Sequence, residues 1–303
     1  MEHNLHTTAP LGQLSQQMAD AVERISPSLV LVDGRRRQAA SGLVYASDLV
    51  LTADHVLERE EDLTIQTHDK RTLPAQFIGR DTANDLAVLR VADLNLAAAP
   101  IATGPARVGQ FILAVGRPSS NGPMASLGIV SSVGGPLRTR RGGTLEQYIQ
   151  TDAIPYPGFS GGPLIDAEGQ VIGVTTTGLM RGPTLAVPAR IAWRIAGTLA
   201  QHGHIKRGYL GISSQPIDLP ASQRGEWQQE RGLLISRVEE GSPAEAGGLL
   251  IGDILVACNQ QPVLDTDDLQ ALLTGDAVDS VVAISVLRGG ALNTLSVRIG
   301  LRS

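Results

Sequence analysis

The sequence has one cysteine, Cys258, so an intramolecular disulfide is excluded. Val256-Ala257 before it and Asn259 after it read as the end of a strand, and the thiol reads as a small buried hydrophobe. No histidine lies nearby in sequence to activate it. Aromatic residues are scarce as well, 3% of 303 residues, so the cores must be built from Leu, Val, Ile and Ala. No stretch approaches the roughly 18 consecutive apolar residues of a membrane helix. Residues 1–30 lack a basic segment followed by an apolar one. As written, the chain is therefore expected to be soluble and cytoplasmic; if a leader was trimmed, the cell envelope or periplasm is the alternative. Positive charge is not in excess either. Lys+Arg 25 against Asp+Glu 30 gives −5, which disfavours nucleic acid or an anionic membrane as the main partner. The two basic clusters, Arg35-Arg36-Arg37 and Arg138 to Arg141, read as solvated loop tips.

Glycine, by contrast, is plentiful, with 34 residues punctuating short apolar runs. That texture predicts turns and β-structure. The length predicts about two domains. Residues 1–27 read as a polar segment with a short helix, because Leu14, Met18, Val22 and Ile25 recur at helical spacing before Pro27. Two sets of short apolar runs follow, at 28–96 and 107–190, joined by a turn-rich stretch. Neither is interrupted by a long helix, which argues against a βαβ architecture. Pro188 opens a closing helix over 188–202, with Ile191, Ile195 and Leu199 on one face and Gly203 at its end. A boundary is expected after residue 204. Residues 208–303 read as a small α+β module of about five strands and two short helices. Tyr209–Ser213 reads as a strand. Ser242-Pro243-Ala244-Glu245 is a capping box. Gly289-Gly290 joins two strands as a hairpin.

Three residues in this pattern could carry chemistry. Ser160 lies in Gly158-Phe159-Ser160-Gly161-Gly162-Pro163-Leu164. Glycines around a serine let backbone N–H groups face a reacting oxygen, and Gly158 and Ser160 are the natural oxyanion donors. The same residues also fit a plain turn. His55 follows the apolar strand Leu51-Thr52-Ala53, on a rigid element that can reach a cleft. A lone histidine of this kind is often only structural; its pairing with Ser160 makes the difference. Asp85 enters the apolar run Leu86-Ala87-Val88-Leu89, where an acid is costly unless held by hydrogen bonds. Orienting an imidazole would supply them. Asp81 is the rival acid. The heptapeptide also fits G-x-S-x-G, the nucleophile elbow of α/β-hydrolases. That elbow needs a helix directly after the serine, which Pro163 opposes, and an acid and a histidine later in the chain. The order His55, Asp85, Ser160 excludes it.

Together these segments resemble the HtrA/Deg family of trypsin-like serine proteases with one C-terminal PDZ domain. The markers are Thr52-Ala53-Asp54-His55-Val56, Asp85-Leu86-Ala87-Val88-Leu89, Gln150-Thr151-Asp152-Ala153, Ser160-Gly161-Gly162-Pro163-Leu164, Arg207-Gly208-Tyr209-Leu210-Gly211 and Gly241-Ser242-Pro243-Ala244. The resemblance implies a mostly β fold: a chymotrypsin-like double six-stranded antiparallel β-barrel over 28–204, then a PDZ domain over 208–303. It implies endoproteolysis of misfolded or unstructured proteins with no cofactor and no metal. It implies an oxyanion loop of Gly158, Phe159 and Ser160. Tyr209, Leu210, Gly211 and Ile212 resemble a PDZ carboxylate-binding loop that takes peptide C-termini, with Leu269, Leu272 and Leu273 as groove residues or, equally, core.

Three positions depart from the family pattern. Phe159 and Tyr156 stand where the family usually has Asn, and Pro155 where it has an aliphatic residue. A bulky Phe159 is expected to influence whether the oxyanion loop rests in an active conformation. It also cannot pair with a freed N-terminal amine, which disfavours zymogen activation. Ile154, with Leu185 and Val187, is expected to form an S1 pocket for small or medium aliphatic P1 residues. The family usually trimerises through N-terminal aromatics. Residues 1–44 contain no Phe, Tyr or Trp, and a homotrimer is still expected. Two other readings compete: a resting chaperone or PDZ adaptor, and a small-ester hydrolase.

Overall fold

A computed structural model describes residues 10–36, 38–140, 144–180, 182–204, 208–220, 224, 229–273 and 277–301. Residues 1–9, Arg37, Arg141, Arg207 and residues 225–228 lie outside them. The chain divides into two compact units, Met1–His204 and Ile205–Ser303.

The first unit opens with α1 (Pro10–Ile25), whose apolar stripe ends in the buried Ala21 and Ile25. A 3₁₀ turn containing Pro27 leads into the first barrel. Its strands are β1 (Leu29–Asp33), β2 (Ala40–Ala46), β3 (Leu49–Ala53), β4 (Leu63–Gln66), β5 (Thr72–Asp81) and β6 (Leu86–Arg90). They close antiparallel in the order β1-β2-β3-β6-β5-β4, with β4 returning to β1. Val30, Val32, Val50, Ala87 and Leu89 fill the interior. β-Branched and small residues dominate there, as the near-absence of aromatics requires.

The second barrel uses β7 (Phe111–Ser119) and β8 (Gly122–Gly134). After a small hairpin of β9 (Leu137–Arg138) and β10 (Thr144–Leu145) come β11 (Tyr148–Thr151), β12 (Pro163–Ile165), β13 (Val171–Thr176) and β14 (Thr184–Pro188). The closed order is β11-β14-β13-β12-β7-β8. Ile112, Ala114, Ile149, Leu164 and Phe159 belong to its core. Helix α2 (Ala189–His202) then packs on β5 and β6 of one barrel and β13 and β14 of the other. Gly203 ends it in the left-handed region at φ 75°, as a helix C-terminus favours. Each barrel therefore presents rigid strand ends to the other.

The second unit holds β15 (Gly208–Tyr209), β16 (Ile212–Asp218), β17 (Arg231–Val238), α3 (Pro243–Ala246), β18 (Ile254–Cys258), β19 (Gln261–Pro262), α4 (Thr266–Leu272), β20 (Val281–Arg288), β21 (Ala291–Arg298) and β22 (Gly300–Leu301). The main sheet runs β16-β17-β18-β20-β21. Ser242 caps α3 by accepting from the Glu245 amide at 3.2 Å. Gly289 and Gly290 turn the last hairpin with positive φ at both positions. The expected strand Tyr209–Ser213 is broken in two. Gly211 takes φ 79°, and a Cβ there would lie 2.3 Å from Ser242 Cβ, so the chain bends between β15 and β16. Cys258 is buried at the end of β18.

Candidate active site

His55 sits on a 3₁₀ turn, Asp54–Val56, directly after β3. The turn is anchored from both sides. The Asp54 amide donates to the Asp85 carbonyl at 3.1 Å. The Asp54 carboxylate, 2% exposed, meets Arg80 at 2.9 Å. Arg80 also bonds Glu60 at 2.7 Å and lies 4.7 Å over the Phe77 ring.

Asp85 is fully buried and adopts φ 54°, in the left-handed region that Asp tolerates better than most residues. That conformation turns its carboxylate back toward His55. Asp85 Oδ2 lies 2.7 Å from His55 Nδ1, and Oδ1 accepts the His55 amide at 2.9 Å. Thr176, at the end of β13 in the other barrel, donates its hydroxyl to the same Oδ2. The buried charge is thereby held by several donors. The rival Asp81 does something else. Its carboxylate accepts from the Ala83 amide at 3.1 Å and from the Asn84 side chain at 2.5 Å, shaping the turn ahead of Asp85.

Ser160 reaches the same place from the second barrel, just before β12, and is 6% exposed. Its Oγ hydrogen bond is to Thr177 Oγ1 at 3.2 Å. A bond to the imidazole is not among the hydrogen bonds of the described residues. The loop around it is tightly ordered. The Phe159 amide donates to the Tyr156 carbonyl at 3.0 Å, Gly161 to Thr175 at 2.9 Å and Gly162 to Phe159 at 2.8 Å. Among the hydrogen bonds of the described residues, the amides of Gly158 and Ser160 donate to none. These are the two amides expected to face an oxyanion. The Phe159 amide between them is occupied. Its ring, fully buried, lies against Gly116 and meets Tyr156 edge-on at 5.5 Å. The ring pins the loop to the core.

Ser41 was missed by sequence reasoning. It is fully buried, on β2 of the first barrel. Its hydroxyl donates to the Gly158 carbonyl at 2.6 Å and accepts the Arg117 amide at 2.8 Å. Its own amide donates to the Ser160 carbonyl at 3.1 Å, and its carbonyl accepts from Thr52 at 2.7 Å. Ser41 thus holds the carbonyls of the two residues whose amides remain available. Gly178 was missed too. A Cβ there would lie 2.3 Å from Asp85 Oδ2 and 2.7 Å from His55 Nδ1, so only glycine lets the acid and the imidazole meet. The only available signal was Gly after a Thr run, Thr175-Thr176-Thr177, which sequence alone cannot rank.

Of the S1 residues, Leu185 and Val187 are buried on β14 while Ile154 is 57% exposed. In the second unit, Tyr209 donates its hydroxyl to Glu239. The Leu210 and Gly211 carbonyls accept from Ala244 and Glu239, each at 2.8 Å. The Leu210 and Gly211 amides donate to no group among the described residues. Leu269 and Leu273 are buried in the core of the second unit, and Leu272 packs against it partly exposed. Leu269 lies on α4 and Leu273 just past its end, one helical turn on, where its amide donates to the Leu269 carbonyl at 3.1 Å. Among the described residues, no cluster of three or more His, Cys, Asp or Glu is placed to hold a metal. No helix among them is long and apolar enough to cross a membrane.

Comparison with known proteins adds independent findings. Residues 40–174 match the trypsin-like peptidase domain family, and residues 208–299 match the PDZ domain family. A Pseudomonas putida protein named "Probable periplasmic serine endoprotease DegP-like" is 31% identical over 276 residues. The match covers 88% of this chain and 57% of that protein, so the chain spans little more than half of that relative's length. The solved structure "HtrA-type protease AlgW with tripeptide" is 30% identical, with a TM-score of 0.75 over 94% of this chain and 97% of that one. The serine endoprotease from Yersinia pestis is 26% identical, with a TM-score of 0.76 over 94% and 98%. With both barrels closed, the acid and imidazole paired and a PDZ unit following in the sequence, the chain belongs to the HtrA family of trypsin-like serine proteases and carries one PDZ domain.

Proposed function

We propose that the chain is a serine endopeptidase that cleaves misfolded or unstructured proteins without ATP or a metal, and whose PDZ domain binds hydrophobic peptide C-termini. The observation that carries this reading is the buried Asp85–His55 pair beside a serine loop in which two amides donate to no group among the described residues. Ser160 turns from Thr177 toward His55 and attacks the scissile carbonyl. His55 takes the Ser160 proton and returns it to the leaving amine. Asp85 holds the imidazole tautomer and stabilises the imidazolium. The Gly158 and Ser160 amides receive the negative charge that develops on the carbonyl oxygen. Ile154, Leu185 and Val187 favour small or medium aliphatic P1 residues. A P1-Arg peptide cleaved faster than its P1-Val counterpart would overturn that preference.

The name of the Pseudomonas putida relative favours the periplasmic alternative over the cytoplasmic expectation. A homotrimer is the expected assembly, and Leu11 on α1, 80% exposed, is an apolar side chain it would cover. Sedimentation of wild type and Leu11→Glu tests that assembly, and a wild-type monomer removes it.

The deciding experiment is β-casein cleavage by wild type and Ser160→Ala, with and without a hydrophobic C-terminal peptide. Cleavage by wild type alone supports the protease, and peptide stimulation gives the PDZ domain a regulatory role. One observation favours a second reading, a resting peptide-binding protein: the Ser160 hydroxyl rests on Thr177. Peptide binding with no cleavage and no labelling by a serine-directed phosphonate selects it.

A further inference from the structure

The open edge of β16 carries information that the carboxylate loop does not. β16 ends its sheet, and among the described residues no strand pairs with its other side. A strand's N–H and C=O groups alternate between its two edges residue by residue. Which residues face outward follows from two bonds. The Ser213 carbonyl accepts from the Ser236 hydroxyl of β17 at 3.1 Å, and the Leu219 amide donates to the Glu230 carbonyl at 2.8 Å. Both odd-numbered residues face β17. The one register shift leaves the extra residue, Ser236, on β17, so β16 keeps its alternation. Ile212, Ser214, Pro216 and, at the end of the strand, Asp218 therefore present their backbone to the open edge. Pro216 has no N–H to offer there, and its ring occupies the space that a donor would use.

We propose that the PDZ edge is a short one, able to pair only with about the last three residues of a peptide C-terminus. This rests on the reading that the PDZ domain takes such termini. The carboxylate sits on the Leu210 and Gly211 amides, and Ser214 supplies one donor and one acceptor to the added strand. At Pro216 the ladder loses its donor, and the ring holds an added strand off the edge before Asp218 is reached. Recognition is then fixed by the terminal residues, and the sequence upstream is read weakly. The partner is any chain with a free, aliphatic C-terminus exposed for three residues, without a longer extended segment.

The test is calorimetric titration of full-length Ser160→Ala protein with two peptides ending in the same three aliphatic residues. One is a tripeptide, the other a decapeptide extended by glycine and serine. The expected dissociation constants agree within about threefold, less than one added hydrogen bond commonly gives. Pro216→Val in the same background should tighten the decapeptide by roughly two- to tenfold, the range of one restored hydrogen bond, and leave the tripeptide unchanged. A wild-type decapeptide tenfold tighter than the tripeptide overturns the short edge while leaving C-terminal recognition intact. So does a Pro216→Val change that affects both peptides alike, or neither. Binding of neither peptide overturns the C-terminal reading and the short edge with it.

Discussion

Single side chains at this site act through partners far away in sequence. Asp85 meets His55 across 30 positions and Thr176 across 91. Asp85→Asn keeps the shape but leaves the imidazole in the wrong tautomer, so peptidase kcat should fall by about 10⁴-fold. Steady-state kinetics on casein or a P1-Val peptide checks it. Ser41 reaches Gly158 across 117 positions. Ser41→Ala frees the Gly158 carbonyl and leaves the Arg117 amide without its acceptor. The expected cost is on the order of 10²-fold in kcat with KM little changed, the size seen when an oxyanion donor is misplaced. Equal kcat in Ser41→Ala and wild type would show that the loop keeps its shape unaided. These cases also explain what could be read from sequence. His55 and Asp85 stood out because each sits at the end of an apolar run as a group that chemistry must justify, and Ser160 because glycines surround it. Ser41 and Gly178 did not, because a serine in a strand and a glycine after one have many ordinary uses. Their roles exist only once two barrels bring distant segments together.

At the scale of elements, the strands were legible from alternation and their ends were not. β8 runs from Gly122 to Gly134, far beyond the apolar stretch that announces it, because its exposed outer half is paired along β7. The break at Gly211 was hidden inside an apolar run. Phe159 is the instructive case. By residue type it suggested a disturbance of the oxyanion loop, yet its ring is the loop's attachment to the second barrel. Phe159→Ala should therefore destabilise the protease unit by about 3–5 kcal/mol, the usual cost of deleting a buried aromatic ring. Thermal unfolding measures it, and a loss below about 1 kcal/mol, the scale of a surface change, would place the ring outside the core.

At the scale of the molecule, each unit closes its own core, and the second carries a buried ion pair that ties its stability to pH. In the PDZ unit, Asp253 is 2% exposed and is bound by Arg288 at 2.7 Å. Burial pushes its carboxyl up, but the Arg288 hydrogen bond, the Leu250 amide and the Arg288 charge together hold it below the ordinary range. A depressed folded-state value contributes stability above the unfolded value, near 3.9, which is lost as pH falls through the folded one. Asp253→Asn should therefore lower the PDZ unfolding temperature at neutral pH, and the gap to wild type should close below about pH 4. A gap that persists undiminished into acid would assign the loss to packing rather than charge. Asp253→Asn and Phe159→Ala lie in different cores, so their effects on the two units should add.

The lone thiol of the PDZ unit has a use of its own. Cys258 is 1% exposed, and burial raises its pKa, so a modifying reagent meets it only when the sheet around β18 opens. With no second cysteine among its 303 residues to compete, the rate of thiol trapping in this chain times the opening of that one unit. Ligand at the PDZ edge should slow this clock, while a phosphonate on Ser160 slows it only to the extent that the two units share stability.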